Sequence, residues 1–298
     1  MSSGFHTHSH SWAFSLPVTL AMALVALIYL CGWFRLRNDC PALLLPWRLM
    51  AFLGGLLFFW IVMVSPLAML DHDLLTVHMI NHLVLMAVVA PLVLAGAPGL
   101  LLHALPARFD SVVQNSVRSS ASAQRLLRLL QHPVFCWLGA TATVIGWHTP
   151  AVFQLAMRSR WWHDAEYASF LVTGLLFWWP VFQPLSSARE WPRWSTPLYL
   201  FLATLPCDIL SAFLVFCGRV VYPSYLSAPR LFNLSPMQDQ QCAGALMWVS
   251  VTFAYLLPAI VITIRILSPL DAHSQQAERV ALQRLSSRSL NGSQAEVL

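Results

Sequence analysis

Apolar residues in this chain come in long, nearly unbroken runs rather than in the period-2 or period-3.6 alternation of half-buried strands and surface helices. Seven runs approach the length of about 17–25 residues at which a helix crosses a bilayer. They fall at residues 12–34, 49–70, 75–97, 133–148, 165–182, 196–217 and 243–267. The fourth is short, and its end is set by Pro150, because the residue before a proline is pushed out of the helical region. The fifth carries Phe177, Trp178 and Trp179 at its exit, as an interfacial anchor would. The pattern predicts an all-α fold: a polytopic membrane bundle of seven transmembrane helices over residues 12–267. It is preceded by a short segment, 1–11, and followed by a weakly ordered tail, 268–298, dominated by Ser, Gln and Arg. Between the third and fourth runs, residues 106–131 mix Arg with Leu126, Leu127, Leu129 and Leu130. That suits a helix lying on an anionic cytoplasmic leaflet, or equally a solvated connector.

Composition agrees and narrows the picture. The 298 residues are 58% apolar and only 10% charged, against roughly 25% charged in soluble domains, and the mean hydropathy is +0.64. An ordinary soluble domain is excluded. All 17 basic residues are Arg, and the net charge of +5 says nothing of nucleic acid; what informs is where the arginines lie. Thirteen fall between runs one and two, three and four, five and six, or at and after the end of run seven, whereas Arg158, Arg160, Arg219 and Arg230 fall on the other side. The positive-inside rule then predicts an outer N-terminus and a cytoplasmic C-terminus. The first run lacks a basic start and an A-x-A cleavage site, so it should remain as an anchor. Six cysteines fall singly, without a C-x-x-C pair, so neither a disulfide framework nor a zinc ribbon is suggested. No Walker loop, nucleotide fingerprint or nucleophile elbow points to a pump or hydrolase.

Histidine is unevenly placed. His6, His8, His10, His72, His78, His82, His148 and His163 fall on the predicted outer side, and only His103, His132 and His273 inside. The sharpest group is His78, His82 and Met86 in run three. Two steps of four put them on one helical face, the last about 12 Å deeper than the first. Two imidazoles a turn apart can bind one metal ion, and a thioether below them favours a soft one such as Cu(I). The alternative is interhelical hydrogen bonding by the histidines and core filling by Met86.

Other outer termini add groups. His148 ends run four within Trp147-His148-Thr149-Pro150, and His163 and Glu166 share a face at i, i+3. Glu166 reads as a ligand or as a residue that orients one. Asp71-His72-Asp73 is a short outer loop, with His72 able to capture metal or simply wetted. The alternating His6, His8 and His10 could scavenge metal or form an idle polar terminus. Asp208, deep in run six, costs on the order of 3 kcal/mol as a carboxylate in lipid, so it should be paired, hydrated or functional. Asp239, Gln240 and Gln241, after Ser235-Pro236, could orient ligands, or merely begin a helix. Gly244 should permit close helix approach. Cys207, Cys217 and Cys242 read as small packing residues, with Cys242 the most exposed to the expected site.

These residues resemble a known family. The pieces are His78, Met79, Asn81 and His82, then Met86, Ala90-Pro91, Gly96-Ala97-Pro98 and His132-Pro133-Val134. Trp147-His148-Thr149-Pro150 follows, then His163-x-x-Glu166 leading to Gly174 and Phe177-Trp178-Trp179-Pro180, and last Asp239-Gln240-Gln241-x-Ala243-Gly244-x-x-Met247-Trp248. In order, over about residues 45–268, they are similar to the multi-span CtaG family, the assembly factors of caa3-type cytochrome c oxidase. The resemblance implies a bacterial inner-membrane protein with seven spans that helps build haem–copper oxidases, with copper handling as its inferred role. Tyr167 stands where relatives often carry His directly after the Glu. A second His pair opposite His78 and His82 is thereby lost, so that either His148 and His163 complete the site or it is weaker than in relatives.

The expectation is therefore an assembly factor without turnover. It would hold copper at the outer leaflet and pass it to the catalytic subunit of the oxidase, with a copper chaperone as a possible second partner. His78 and His82 would be primary ligands and Met86, His148 and His163 additions, while Glu166, Asp208 and Asp239 orient ligands or carry protons. The alternatives are a haem-binding redox protein, with imidazoles on facing helices as axial ligands, and a metal or proton transporter using Asp208.

Overall fold

The computed structural model describes residues 16–38, 44–65, 70–96, 121–182, 192 and 194–268. The expectations for residues 1–11 with His6, His8 and His10, for 106–120, and for the tail beyond Ser268 lie outside them. Among the described residues the fold is all-helical, without strands. The helices are α1 (Leu16–Leu36), α2 (Pro46–Val64), α3 (Leu75–Ala95), α4 (Ala121–Gln131), α5 (Pro133–His148), α6 (Pro150–Arg158), α7 (Arg160–Phe182), α8 (Ser195–Phe216) and α9 (Pro236–Leu267). Six of them, α1, α2, α3, α7, α8 and α9, are long and apolar enough to cross a membrane. Helix α5 has 16 residues and rises about 24 Å, short of a hydrocarbon core of about 30 Å. The fourth span expected from the sequence is therefore not matched by a spanning helix of its own.

Local chemistry sets the boundaries. Helix α2 stops at Val64 rather than residue 70, because Ser65 precedes Pro66 and takes an extended conformation. Thr149 is extended for the same reason, which ends α5 at His148 and lets Pro150 open α6 in its first turn. Helix α9 starts at Pro236 rather than 243, because Ser235 and Gln238 close a capping box: Ser235 Oγ accepts from Gln238 N at 3.2 Å and Gln238 Oε1 from Ser235 N at 2.9 Å. Helix α7 starts at Arg160 rather than 165, so His163 and Asp164 lie on its first turns.

Helix α3 is the axis of the bundle. It packs on α2, α7 and α9, and 44% of its span is buried against 17% for α1 and α2. Its middle, Val84–Val89, is wound as a π-helix that ends just before Pro91. Ala90 N–H bonds back five residues to Leu85 O, so Met86 O would next need the N–H of residue 91, which proline lacks. Trp178 of α7 fills the gap by donating Nε1–H to Met86 O at 2.9 Å. Gly174 allows that approach, since a Cβ there would stand 3.1 Å from Met86 Cα and 3.2 Å from Ala90 Cβ. On the other flank α8 pairs with α9, and Gly244 lies where a Cβ would meet Ser211 O at 3.0 Å. The main apolar core fills the space between α2, α3, α5, α7, α8 and α9. Helix α1 is peripheral, held to α2 by Tyr29 stacked on Phe52 and to the end of α3 by Tyr29 OH donating to Gly96 O at 2.9 Å.

Candidate metal centre

The N-terminal ends of α3, α7 and α9 meet the C-terminal ends of α5 and α8 at one end of the bundle. Two α9 residues fix that frame. Leu74 gives α3 no side-chain cap; the cap comes from α9 instead. Buried Asp239 accepts from Leu75 N at 2.7 Å, Thr76 N at 3.1 Å and Thr76 Oγ1 at 2.6 Å, a carboxylate at the positive end of the α3 dipole. Gln240 ties down the connection after α8: its Oε1 accepts from Val221 N at 2.7 Å, and its Nε2 donates to Leu214 O and Arg219 O, each at 3.2 Å. In that connection Tyr222 OH donates to His148 O at 3.0 Å and Tyr225 OH to Asp71 O at 2.7 Å. Burial, with the carboxylate of Asp71 nearby, pushes the Tyr225 phenol well above its ordinary value. Asp239 and Gln240 thus position helices, and the structure places neither beside an imidazole. Gln241 and Cys242 are exposed. Asp208 is half-buried, with Oδ1 lacking a hydrogen-bond partner, and lies outside the lining of the cavity that its neighbour Cys207 enters.

His78, His82 and Glu166 form the tightest group. His78 is 0% exposed and Glu166 1%. The two Nε2 atoms are 2.8 Å apart, and Glu166 Oε1 lies 3.4 Å from His78 Nε2 and 3.1 Å from His82 Nε2. His78 Nδ1, His82 Nδ1 and Glu166 Oε2 have no hydrogen-bond partner. A neutral imidazole offers one donor and one acceptor, so each ring here leaves one of them buried and unused, at a cost of about 1–3 kcal/mol apiece. Tetrahedral ligands at about 2.0–2.1 Å from an ion lie about 3.3 Å from one another. The three atoms already stand near that spacing, and the residues fit a metal ion. Glu166, which the sequence offered as ligand or orienting group, stands at ligand distance from both imidazoles.

A second group shares His78. Asp71, His78 and His163 each bring a ligand atom within 4.8 Å of the others. His163 Nε2 is 3.1 Å from Asp71 Oδ2, and its ring is 5.9 Å from that of His78. Outside it, His72 stacks on His163 at 5.0 Å with 52% of its side chain exposed. Asp71 is buried in a 3-10 turn rather than wetted in a loop. Burial would raise its carboxyl, but His163 beside it, with His72 and His78, holds it below the ordinary value. Tyr167 bridges the groups: Asn81 Nδ2 donates to its hydroxyl at 2.9 Å, and the hydroxyl donates to Asp71 Oδ2 at 2.9 Å.

Deeper in, His82, His148, Met79, Met86, Cys207 and Met247 line a cavity of about 30 Å³. His148 approaches the sulfur of Met79 there, Nε2 to Sδ 3.1 Å. The structure therefore brings His78 and His82 together with Glu166, sets His163 against Asp71, and puts Met86 and His148 around a separate space that His82 reaches and His78 does not. Sequence reasoning offered Asp71 only as part of the outer Asp71-His72-Asp73 loop and Met79 and Met247 only within the family pattern, and it missed the bridging role of Tyr167. Asp71 carried a signal in its position between two spans, and Met79 in its place next to His78. Met247 and Tyr167 were marked only by the family pattern, and nothing local pointed to their contacts.

The sequence model of the family described as Cytochrome c oxidase caa3 assembly factor (Caa3_CtaG) matches residues 27–268. Among curated proteins, the chain is 26% identical over 279 residues to uncharacterized proteins of Mycobacterium bovis and Mycobacterium tuberculosis. It is 25% identical over 285 residues to one of Mycobacterium leprae. Each match covers 91% of this chain and 40% of the relative, so the chain spans well under half the length of these proteins. No solved structure matches.

Proposed function

We propose a function from one premise: the chain belongs to the family of cytochrome c oxidase caa3 assembly factors. Its work in that reading is to hold copper and release it to the catalytic subunit of the oxidase, without turnover of its own. The carrying observation is the buried His78–His82–Glu166 group, three ligand atoms 2.8–3.4 Å apart with unused polar atoms on all three side chains. Copper is the substrate here, carried rather than resident. Exposed His72, with His163 and Asp71 behind it, would receive the ion, and His78 would pass it inward, because His78 belongs to both three-residue groups. Ligand exchange through one shared imidazole keeps the ion coordinated throughout.

The arginine distribution supports an outer position for this end of the bundle. The proposal places it at the outer face of a bacterial inner membrane, with the N-terminus outside, the C-terminus in the cytoplasm, and α5 and α6 completing a seventh crossing. Local packing favours copper over haem. The imidazoles touch one another, and the space beside them is about 30 Å³, whereas axial ligation needs the macrocycle between facing rings. The test is metal analysis of gently purified protein. The wild type should carry copper in stoichiometric amount, and His78→Ala and Glu166→Gln should lose most of it. Equal copper in all three would defeat the assignment.

A further inference from the structure

One nitrogen of His148 is committed. Its Nδ1 lies 2.7 Å from Val144 O, and a carbonyl only accepts, so Nδ1 carries the hydrogen of the neutral ring. Nε2 then presents a lone pair. What it faces, 3.1 Å away, is Met79 Sδ, a thioether that also has only lone pairs to offer. Two acceptors meet in a buried contact with no hydrogen to share between them. A cation is the species that would satisfy both.

The surroundings say which kind. Met86, Met247, Cys207 and His82 line the same cavity, with Tyr255, so thioether, thiol and imidazole predominate among its donors, with one phenol and no carboxylate. Such donors select soft ions over hard ones. The cavity also lacks the formal negative charge that Glu166 gives the group above it, and a doubly charged ion would be left poorly compensated there. Its volume, about 30 Å³, exceeds the roughly 10–15 Å³ that one water-sized probe requires, so a bare ion has room. Bonds of about 2.0 Å to nitrogen and 2.3 Å to sulfur set the two donors about 3.5 Å apart at a tetrahedral angle. A small opening of the present contact suffices, and an unbranched methionine supplies it readily.

We propose that His148 and Met79, backed by Met86, Met247, Cys207 and His82, form a second metal site, specific for a soft monovalent d10 cation. It lies inward of the His78–His82–Glu166 group and shares His82 with it. The identity of the ion as Cu(I) rests on the copper-handling reading above; the existence of the site does not. The chain then offers two unlike environments in series, one with a carboxylate for a harder ion and one of sulfur and nitrogen for a soft one.

The test uses the full chain in detergent and two probes that do not change oxidation state: Ag(I) for the inner site and Co(II), read by its visible absorption, for the outer group. Met79→Leu conserves volume and removes a sulfur; His148→Gln removes the imidazole. Both should weaken Ag(I) binding by about tenfold or more while Co(II) binding stays at the wild-type level. His78→Ala should do the reverse, losing Co(II) and keeping Ag(I). Wild-type Ag(I) affinity in a monodisperse Met79→Leu protein, or no Ag(I) binding by the wild type, overturns the inner site. Loss of Ag(I) in Met79→Leu alongside normal oxidase assembly in His78→Ala would leave the inner site standing and remove the assembly role of the outer group.

Discussion

Replacing Asp239 by alanine separates an anchoring role from a ligand role. The carboxylate holds three donors of α3: Leu75 N, Thr76 N and Thr76 Oγ1. The threonine hydroxyl keeps a second acceptor in Asp239 O at 3.1 Å, so alanine strands two backbone N–H groups. Each costs about 1–3 kcal/mol when buried without a partner, and the lost charge at the helix N-terminus adds up to about 2 kcal/mol. Asp239→Ala should therefore destabilise the protein by about 2–8 kcal/mol. Asp239→Asn, which keeps an acceptor, should cost less than half of that. Gln241→Ala, two residues on in the same motif but exposed, should fall within about 0.5 kcal/mol of wild type. Unfolding of the detergent-purified proteins by mixed-micelle titration, followed by circular dichroism, reads all three. An Asp239→Ala protein as stable as Gln241→Ala would refute the cap, and with it the reason for placing His78 and His82 where they are.

Trp178→Phe keeps the ring but removes the donor to Met86 O; it should cost about 1–3 kcal/mol, and faster amide exchange in residues 84–90 should accompany the loss, whereas unchanged stability would mean that the π-helical carbonyl finds another partner. Acid should act through Asp71. Its carboxyl is held below the ordinary value on folding despite burial, so it contributes stability that is present above its unfolded pKa of about 4 and lost as the pH falls through the lowered value. Asp71→Asn should flatten the acid limb of the stability–pH curve, and an unaltered limb would contradict the pairing with His163.

Most of the fold is legible in the sequence because a bilayer demands long apolar runs. Residues 75–97 and 196–217 anticipate α3 and α8 within about two residues at each end. The misses have physical causes. Polar residues such as Arg160 and Asp239 interrupt an apolar run without ending a helix, since backbone bonding continues beneath them. The i, i+4 spacing put His78, His82 and Met86 on one face, and the structure sets His82 and Met86 around one cavity with His78 outside it; the π-helix from Val84 departs from the 3.6-residue period. His163 and Glu166 share a helix face three residues apart, yet one meets Asp71 and the other the histidine pair. The pairing of Met79 with His148 depends on how α3 and α5 cross, and no spacing within one chain segment carries that. Asp239 and Gln240 looked like site residues for a related reason: the groups they bind, Leu75, Thr76 and Val221, are distant in sequence. Tyr167 offers a hydroxyl bridge from Asn81 to Asp71, which reading it as a missing histidine did not anticipate.

The central claim is that the buried group of His78, His82 and Glu166 serves oxidase assembly through copper. The direct measurement is the amount of assembled, copper-loaded caa3-type oxidase in cells whose own copy of this protein is replaced by His78→Ala, His82→Ala or Glu166→Gln. Each variant must first be shown to accumulate in the membrane at the wild-type level. The account predicts that all three lower oxidase activity and oxidase copper together, and that added copper in the medium partly restores both. Normal activity and copper content in all three, with the proteins present in full amount, would contradict it.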